Sequence, residues 1–139
     1  VSPHRVVDSP LLATPTGFAH AIVAAPGALV HLAGQTAQDR DGQIAGTTMA
    51  EQFDVAAGNV VTALRAAGGV PEDLVSMTVY VTDVGAYRAA LRPLGRLWRK
   101  HFGRHYPAMA LLGVRELFDA TAMIEMVAVA VVPRQSEVD

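Results

Sequence analysis

Glu125 stands inside the run Met123-Ile124-Glu125-Met126-Val127-Ala128-Val129, where every neighbour is apolar. A carboxylate in such surroundings costs free energy unless it is paired, hydrogen-bonded or protonated. Two readings follow. One is structural, a buried ion pair or hydrogen bonds from backbone amides. The other is chemical, a carboxyl group held in an apolar pocket to donate a proton or to orient a water molecule.

The other chemistry-bearing residue types are sparse. Of the five histidines, only His101 and His105 have an i, i+4 spacing, and it spans Gly103, so no metal site is expected. His20 and His31 fall on expected strands and suit a core or interface role better than that of a base. The serines are Ser2, Ser9, Ser76 and Ser136, with no Gly-x-Ser-x-Gly elbow among them, and no glycine-rich phosphate loop occurs. The absence of cysteine removes disulfides, thiolate metal sites and cysteine nucleophiles together.

The elements that must position Glu125 follow from the patterning. Phe18 to Ala24 and Leu29 to Gly34 are apolar runs joined by Ala25-Pro26-Gly27, which predicts a pair of adjacent strands, with a third short strand at Gln43 to Ala45 after the Asp41-Gly42 turn. Thr48 and Glu51 have capping-box spacing, and Phe53, Ala57, Val60 and Leu64 continue a helix that Gly68, Gly69 and Pro71 stop. Val75 to Thr82 alternates as a strand covered more heavily on one face. Asp83 caps a second helix with the stripe Tyr87, Leu91, Leu94 and Trp98, which Pro93 should kink or restart. Leu111 to Val114 is a further strand. Ala122 to Val132 is apolar on both faces, as in a strand sandwiched between two layers. The order predicts an α/β (α+β) mixed sheet with two helices on one face.

The 139 residues make one domain, 1–139, with an ordered core at about 17–132 and loosely tied ends before it and after Pro133. Apolar residues are 51% and charged ones 17%, a balance that excludes disorder and points to a homo-oligomer hiding apolar surface. A formal net charge of −2 and the lack of any lysine or arginine run leave no basic field, so nucleic acid is not expected as a partner. Val1 to Leu12 lacks the pattern of a signal peptide, and the longest apolar stretch, Met126 to Val132, is too short to span a bilayer. A soluble cytoplasmic protein with no membrane association is the expectation.

Several segments in order, Leu32-Ala33-Gly34-Gln35, the Gln52 helix ending Ala66-Ala67-Gly68, Val75 to Asp83, Tyr106-Pro107-Ala108 and Ile124 to Val131, resemble the RidA (YjgF) family of small enamine/imine deaminases. The resemblance covers Gly17 to Val132. It implies a chorismate-mutase-like fold assembled as a homotrimer around a central β-barrel, with small-molecule ligands in inter-subunit clefts. It further implies cofactor-free hydrolysis of 2-imino or 2-aminoacrylate species to keto acids and ammonia, an arginine binding the substrate carboxylate and a last-strand glutamate handling water.

On this resemblance Glu125 occupies the catalytic glutamate position and Gly34 the cleft-lining glycine of a Ser-Gly-Gln motif. The other positions depart from the family pattern. Met109 stands where the family has its arginine, Ala33 replaces the motif's serine, Phe18 an aromatic hydroxyl and Leu91 an asparagine. With Leu111, these residues would shape an apolar substrate pocket. Methionine supplies neither charge nor donor to a carboxylate. Arg115 is about 20 Å along the same strand from Met109 at roughly 3.3 Å per residue, which leaves Arg104 on the preceding loop, or an arginine of a neighbouring chain, as the substitute.

Three functions are open on these residues. The first is a deaminase or hydrolase of an imine, enamine or related C=N metabolite that depends less on a carboxylate, a damage-control activity. The second is a non-catalytic trimer that binds a small ligand, and the third a specialised hydrolase or cyclase of a biosynthetic pathway.

Overall fold

The capping box forms as the spacing predicts: the Glu51 amide donates to the Thr48 hydroxyl and the Thr48 amide to the Glu51 carboxylate, both at 3.2 Å. Two otherwise unpaired donors of the first turn are thereby satisfied. Helix α1 (Met49–Ala66) starts there in a computed structural model that describes residues 1–133. Phe53, Ala56, Ala57, Val60 and Leu64 bury its inner face. It stops where Gly68 turns left-handed at φ 88°, and the Gly69 amide reaches back to the Leu64 carbonyl at 2.9 Å.

The strands are β1 (Arg5–Val7), β2 (Ala21–Val23), β3 (Ala28–Gln35), β4 (Leu74–Val81), β5 (Ala108–Gly113) and β6 (Ile124–Val132). A mixed four-stranded sheet has the order β3-β6-β4-β5, antiparallel except for the parallel pair β4 and β5. That parallel pair needs a crossover, supplied by α2 (Val84–Ala89) and α3 (Leu91–Phe102). Asp83 caps α2 by accepting from the Ala86 amide at 2.9 Å. Pro93 restarts the helix rather than kinking it. It falls in the first turn of α3, where a missing N–H leaves no bond unmade. Helices α1 and α3 pack together on one face of the sheet over Met77, Val79, Val81, Ile124, Met126 and Ala128.

Four expectations are corrected. The segment before Pro26 does not form a hairpin with β3; β2 pairs with β1 in a separate two-stranded sheet. The first dozen residues are accordingly not a loose end, because buried His4 pins them. Its Nδ1 accepts from the Ala25 amide at 2.9 Å, so Nε2 carries the proton and donates to the carbonyls of Val131 at 2.8 Å and Asp73 at 3.2 Å. The strand expected at Gln43 to Ala45 shrinks to one bridge between Gln38 and Ile44, since the Asp39 carboxylate draws the amides of Asp41 and Gln43 into a turn. Finally, β6 is not sandwiched. Ile124, Met126, Ala128 and Ala130 are buried under the helices, whereas Glu125, Val127 and Val129 lie on the opposite, open face. Leu29 (61% exposed), His31, Thr78 and Tyr80 share that face. The tail after Pro133 lies outside the described residues.

Buried Gln52 fixes the entrance to β6. Its Nε2 donates to the carbonyls of Gly46 at 3.2 Å and Thr121 at 3.0 Å, and its Oε1 accepts from the Met123 amide at 2.7 Å. Gln52→Leu keeps the volume and orphans all three partners, so it should destabilise the fold by about 3 kcal/mol in urea unfolding. A loss near zero would show that the clamp contributes nothing.

Candidate functional site

The edge strand β5 is where the chain leaves a cavity. The Ala19 amide donates to the Pro107 carbonyl at 3.0 Å, and Ala19 bridges Ala108 in parallel, which draws Thr16, Gly17 and Phe18 alongside the strand. Met109 and Leu111 are in register with Met77 and Val79, so both point to the helix-covered face. Phe18, Leu91, Met109 and Leu111 line a cleft of about 460 Å³ together with Phe53, Tyr87, Trp98 and Tyr106.

The aromatic wall of this cleft is held by stacking and hydrogen bonds. The Trp98 ring stacks on Tyr106 with centroids 5.7 Å apart and planes 7° apart, and its Nε1 donates to the His105 carbonyl at 3.0 Å. His105 is in turn tied to the Leu74 carbonyl at 2.7 Å. The polar side chains in the lining are uncharged: Thr16, Tyr87, Tyr106 and the engaged Trp98. Burial pushes the Tyr87 phenol above its ordinary pKa, so it stays a neutral hydrogen-bond donor.

A second cluster lies elsewhere. A register shift between Leu32 and Gln35 bulges β3 against β6 at Ala33 and Gly34. A Cβ on Gly34 would lie 2.8 Å from Glu125 Cδ and 2.9 Å from Oε1, so only glycine lets the carboxylate rest against this backbone. Glu125 pairs with Tyr80 across the open face and is half-buried. The expectation of a dry core around it is therefore corrected: its apolar neighbours Ile124 and Met126 face the other way. It also makes no ion pair among the described residues, where both salt bridges belong to Asp54, with Lys100 at 2.9 Å and His101 at 2.6 Å. Those two partners hold the Asp54 carboxyl below its ordinary range, Lys100 more than His101.

The sequence-derived residues thus separate. Phe18, Leu91, Met109 and Leu111 meet in the cleft on the helix side; Gly34 and Glu125 meet on the open side with Ala33 beside them; Arg104 is exposed on its loop and outside the cleft lining. His101 and His105 face different partners, an Asp54 carboxylate and a backbone carbonyl. Tyr87, Trp98 and Tyr106 were not anticipated at a site. The signal for Tyr87 and Trp98 was the Tyr87-Leu91-Leu94-Trp98 stripe, which a core helix would show equally, although Leu91 is 55% exposed. The absence of a basic field is also corrected. Arg88, Arg92, Arg96 and Arg99 are exposed on α2 and α3 at helical intervals, a clustering that no run of cations reveals.

The model of the family Endoribonuclease L-PSP matches residues 11–132. Among solved structures, the chain is similar to YyfB of Yersinia pestis, described as a protein of unknown function of the conserved Rid family. The identity is 28%, the TM-score 0.83, and the match covers 93% of this chain and 98% of that one. It is similar to a member of the YjgF/YER057c/UK114 family from Mycobacterium tuberculosis at 28% identity and TM-score 0.62, covering 84% and 87% of the two chains. RidA from the Antarctic bacterium Psychrobacter, at 21% identity, TM-score 0.66 and coverage of 86% and 92%, shares the fold. No curated protein matches significantly by sequence. No helix among the described residues is long and apolar enough to cross a membrane.

The raised pKa of Tyr87 has a measurable sign. The unfolded chain releases this proton first, so the contribution of Tyr87 to stability is complete below about pH 10 and is lost as pH rises beyond it. Phenolate absorbance of the folded protein should show one tyrosine titrating late, and Tyr87→Phe should flatten the alkaline fall in stability. An unchanged alkaline slope would contradict the burial of this hydroxyl.

Proposed function

The chain belongs to the Endoribonuclease L-PSP family, the Rid/YjgF proteins of chorismate-mutase-like α+β fold, and from that premise we propose that it is a hydrolytic deaminase of imines, enamines or related C=N metabolites. The observation that carries the proposal is the Glu125 carboxylate resting against the Gly34 backbone on a sheet face that a single chain leaves open. Exposed apolar side chains on the same sheet face, Val127 at 36% next along β6 and Leu29 at 61% towards its far end, favour burial against further copies. In a homotrimer built on these faces, the carboxylate cluster of one copy closes the β5 cleft of another. The two halves of the site lie on opposite faces within one chain and are completed only by assembly.

The chemistry asked of such a site is modest. Water adds to the carbon of C=N as a proton reaches the nitrogen, and the carbinolamine then collapses to a carbonyl compound and ammonia. Glu125 orients the water and shuttles the proton. Backbone N–H groups near Gly34 and Met109 hold the substrate's polar atom in a setting drier than bulk solvent. The position of the family's carboxylate-binding arginine is Met109, Ala33 stands for a serine and Leu91 for an asparagine. The substrate is therefore one whose reactive end carries no carboxylate for the cleft to grip. The apolar lining also favours a second reading, a trimer that binds a small ligand without turnover or serves a specialised biosynthetic step.

The test generates 2-imino acids in situ with an amino-acid oxidase and follows keto-acid formation against semicarbazide trapping. Wild type should be weak on 2-imino carboxylates, and Met109→Arg should gain on the order of tenfold through a new charge-assisted pair. Glu125→Gln on either background should remove the activity. Full activity of the glutamine variant would overturn the mechanism, silence of every variant would favour the binding reading, and a monomeric mass by light scattering would overturn the composite site.

A further inference from the structure

We propose that the β5 cleft and the arginine row beside it form one bipartite site for an anionic amphiphile, whose apolar body fills the cleft while a phosphate head lies on Arg92 and Arg96. The inference rests on reading the cleft as the ligand-holding half of the site, and it adds the class of ligand. Seven of the eleven lysines and arginines fall between positions 84 and 115, where no aspartate or glutamate occurs, in a chain of net charge −2. Arg88, Arg92, Arg96 and Arg99 are exposed and make no ion pair among the described residues.

This row does not serve its own helix. Arg92 and Arg96 are like charges at i, i+4, and Arg92 stands in the first turn of α3, where the helix dipole disfavours a cation. An anion held between the two guanidinium groups removes both penalties. The row also borders the cleft-lining face of α3. Leu91, Gly95 and Trp98 line the cavity, and Arg92, Arg96 and Arg99 are each the next residue, about 100° further round α3. Arg92 and Arg96, four residues apart, are offset by about 6 Å along the helix axis.

The cleft itself selects against charge. Its 460 Å³ are lined by apolar and aromatic groups with only hydroxyls among the free polar side chains, so an ionised group on the ligand must remain outside. A phosphate monoester suits the row better than a carboxylate does. It has three terminal oxygens and up to two charges to engage two guanidinium forks at once, whereas a carboxylate is satisfied by one. The ligand's charge is thereby displaced from the reactive end, where Met109 stands, to the far end.

Trp98 is the only tryptophan and lines the cleft, so its fluorescence reports occupancy without any assay of turnover. The full chain is titrated with monomeric n-octyl phosphate, n-octanol and inorganic phosphate, and separately with phosphatidylcholine vesicles with and without phosphatidic acid. Octyl phosphate should bind about tenfold more tightly than octanol. The double variant R92Q/R96Q should lose that advantage and keep its octanol affinity. Gly95→Leu places a side chain where a Cβ meets nothing within 4 Å, and should weaken both octyl ligands. A response to octyl phosphate marks a soluble phosphate ester as the source, and a response confined to vesicles containing phosphatidic acid marks a lipid headgroup. Equal affinity for octanol and octyl phosphate, or a preference that survives in the double variant, would overturn the proposal. Insensitivity of Trp98 to octanol would overturn the reading of the cleft on which it rests, whatever the imine assay shows.

Discussion

One buried amide determines where the central strand begins. Gln52 holds the Thr121 carbonyl and the Met123 amide at the mouth of β6 while gripping Gly46 ahead of its own helix. In a low-dielectric interior such a network is favourable only when fully satisfied, so the strand has one starting point and one register. From that register the rest follows. β3 and β4 pair on either side of β6, Glu125 falls opposite Tyr80, and its carboxylate comes to rest against Gly34.

The same register divides the sheet into two unlike faces. Ile124, Met126 and Ala128 go under α1 and α3, and the intervening residues go to the side that no helix covers. A one-residue slip would exchange them and bury the carboxylate beneath the helices. The division also separates the molecule's chemistry, since the cleft with Met109 opens on the helix side and Glu125 faces away from it. The open apolar face and the separation of the cleft from Glu125 are two aspects of a single geometric fact.

What was legible in the sequence was local. The Thr48 and Glu51 capping box, the alternation of β4 and the Asp83 cap each depend on residues a few positions apart, and each is found where the spacing put it. The pairing of β1 with β2 was not legible, because the histidine that anchors it contacts residues 69 and 127 positions away. The run in β6 misled for a different reason. Alternation marks a covered face only when the other face is polar, and valines on both sides of β6 erase that mark. For the candidate site, residue types singled out Glu125, Gly34 and the apolar side chains of Phe18, Leu91, Met109 and Leu111. Their division between two sheet faces needed the strand register, and the aromatic wall was hidden because a cleft-lining helix has the same period as a core helix.

The cleft is built by α1, α2, α3, β5 and the segment at Phe18, and the carboxylate cluster by β3 and β6, so no element contributes residues to both. The lining of the cleft at Phe18, Leu91 and Met109 is thus set by one group of elements and the seat of the carboxylate by another.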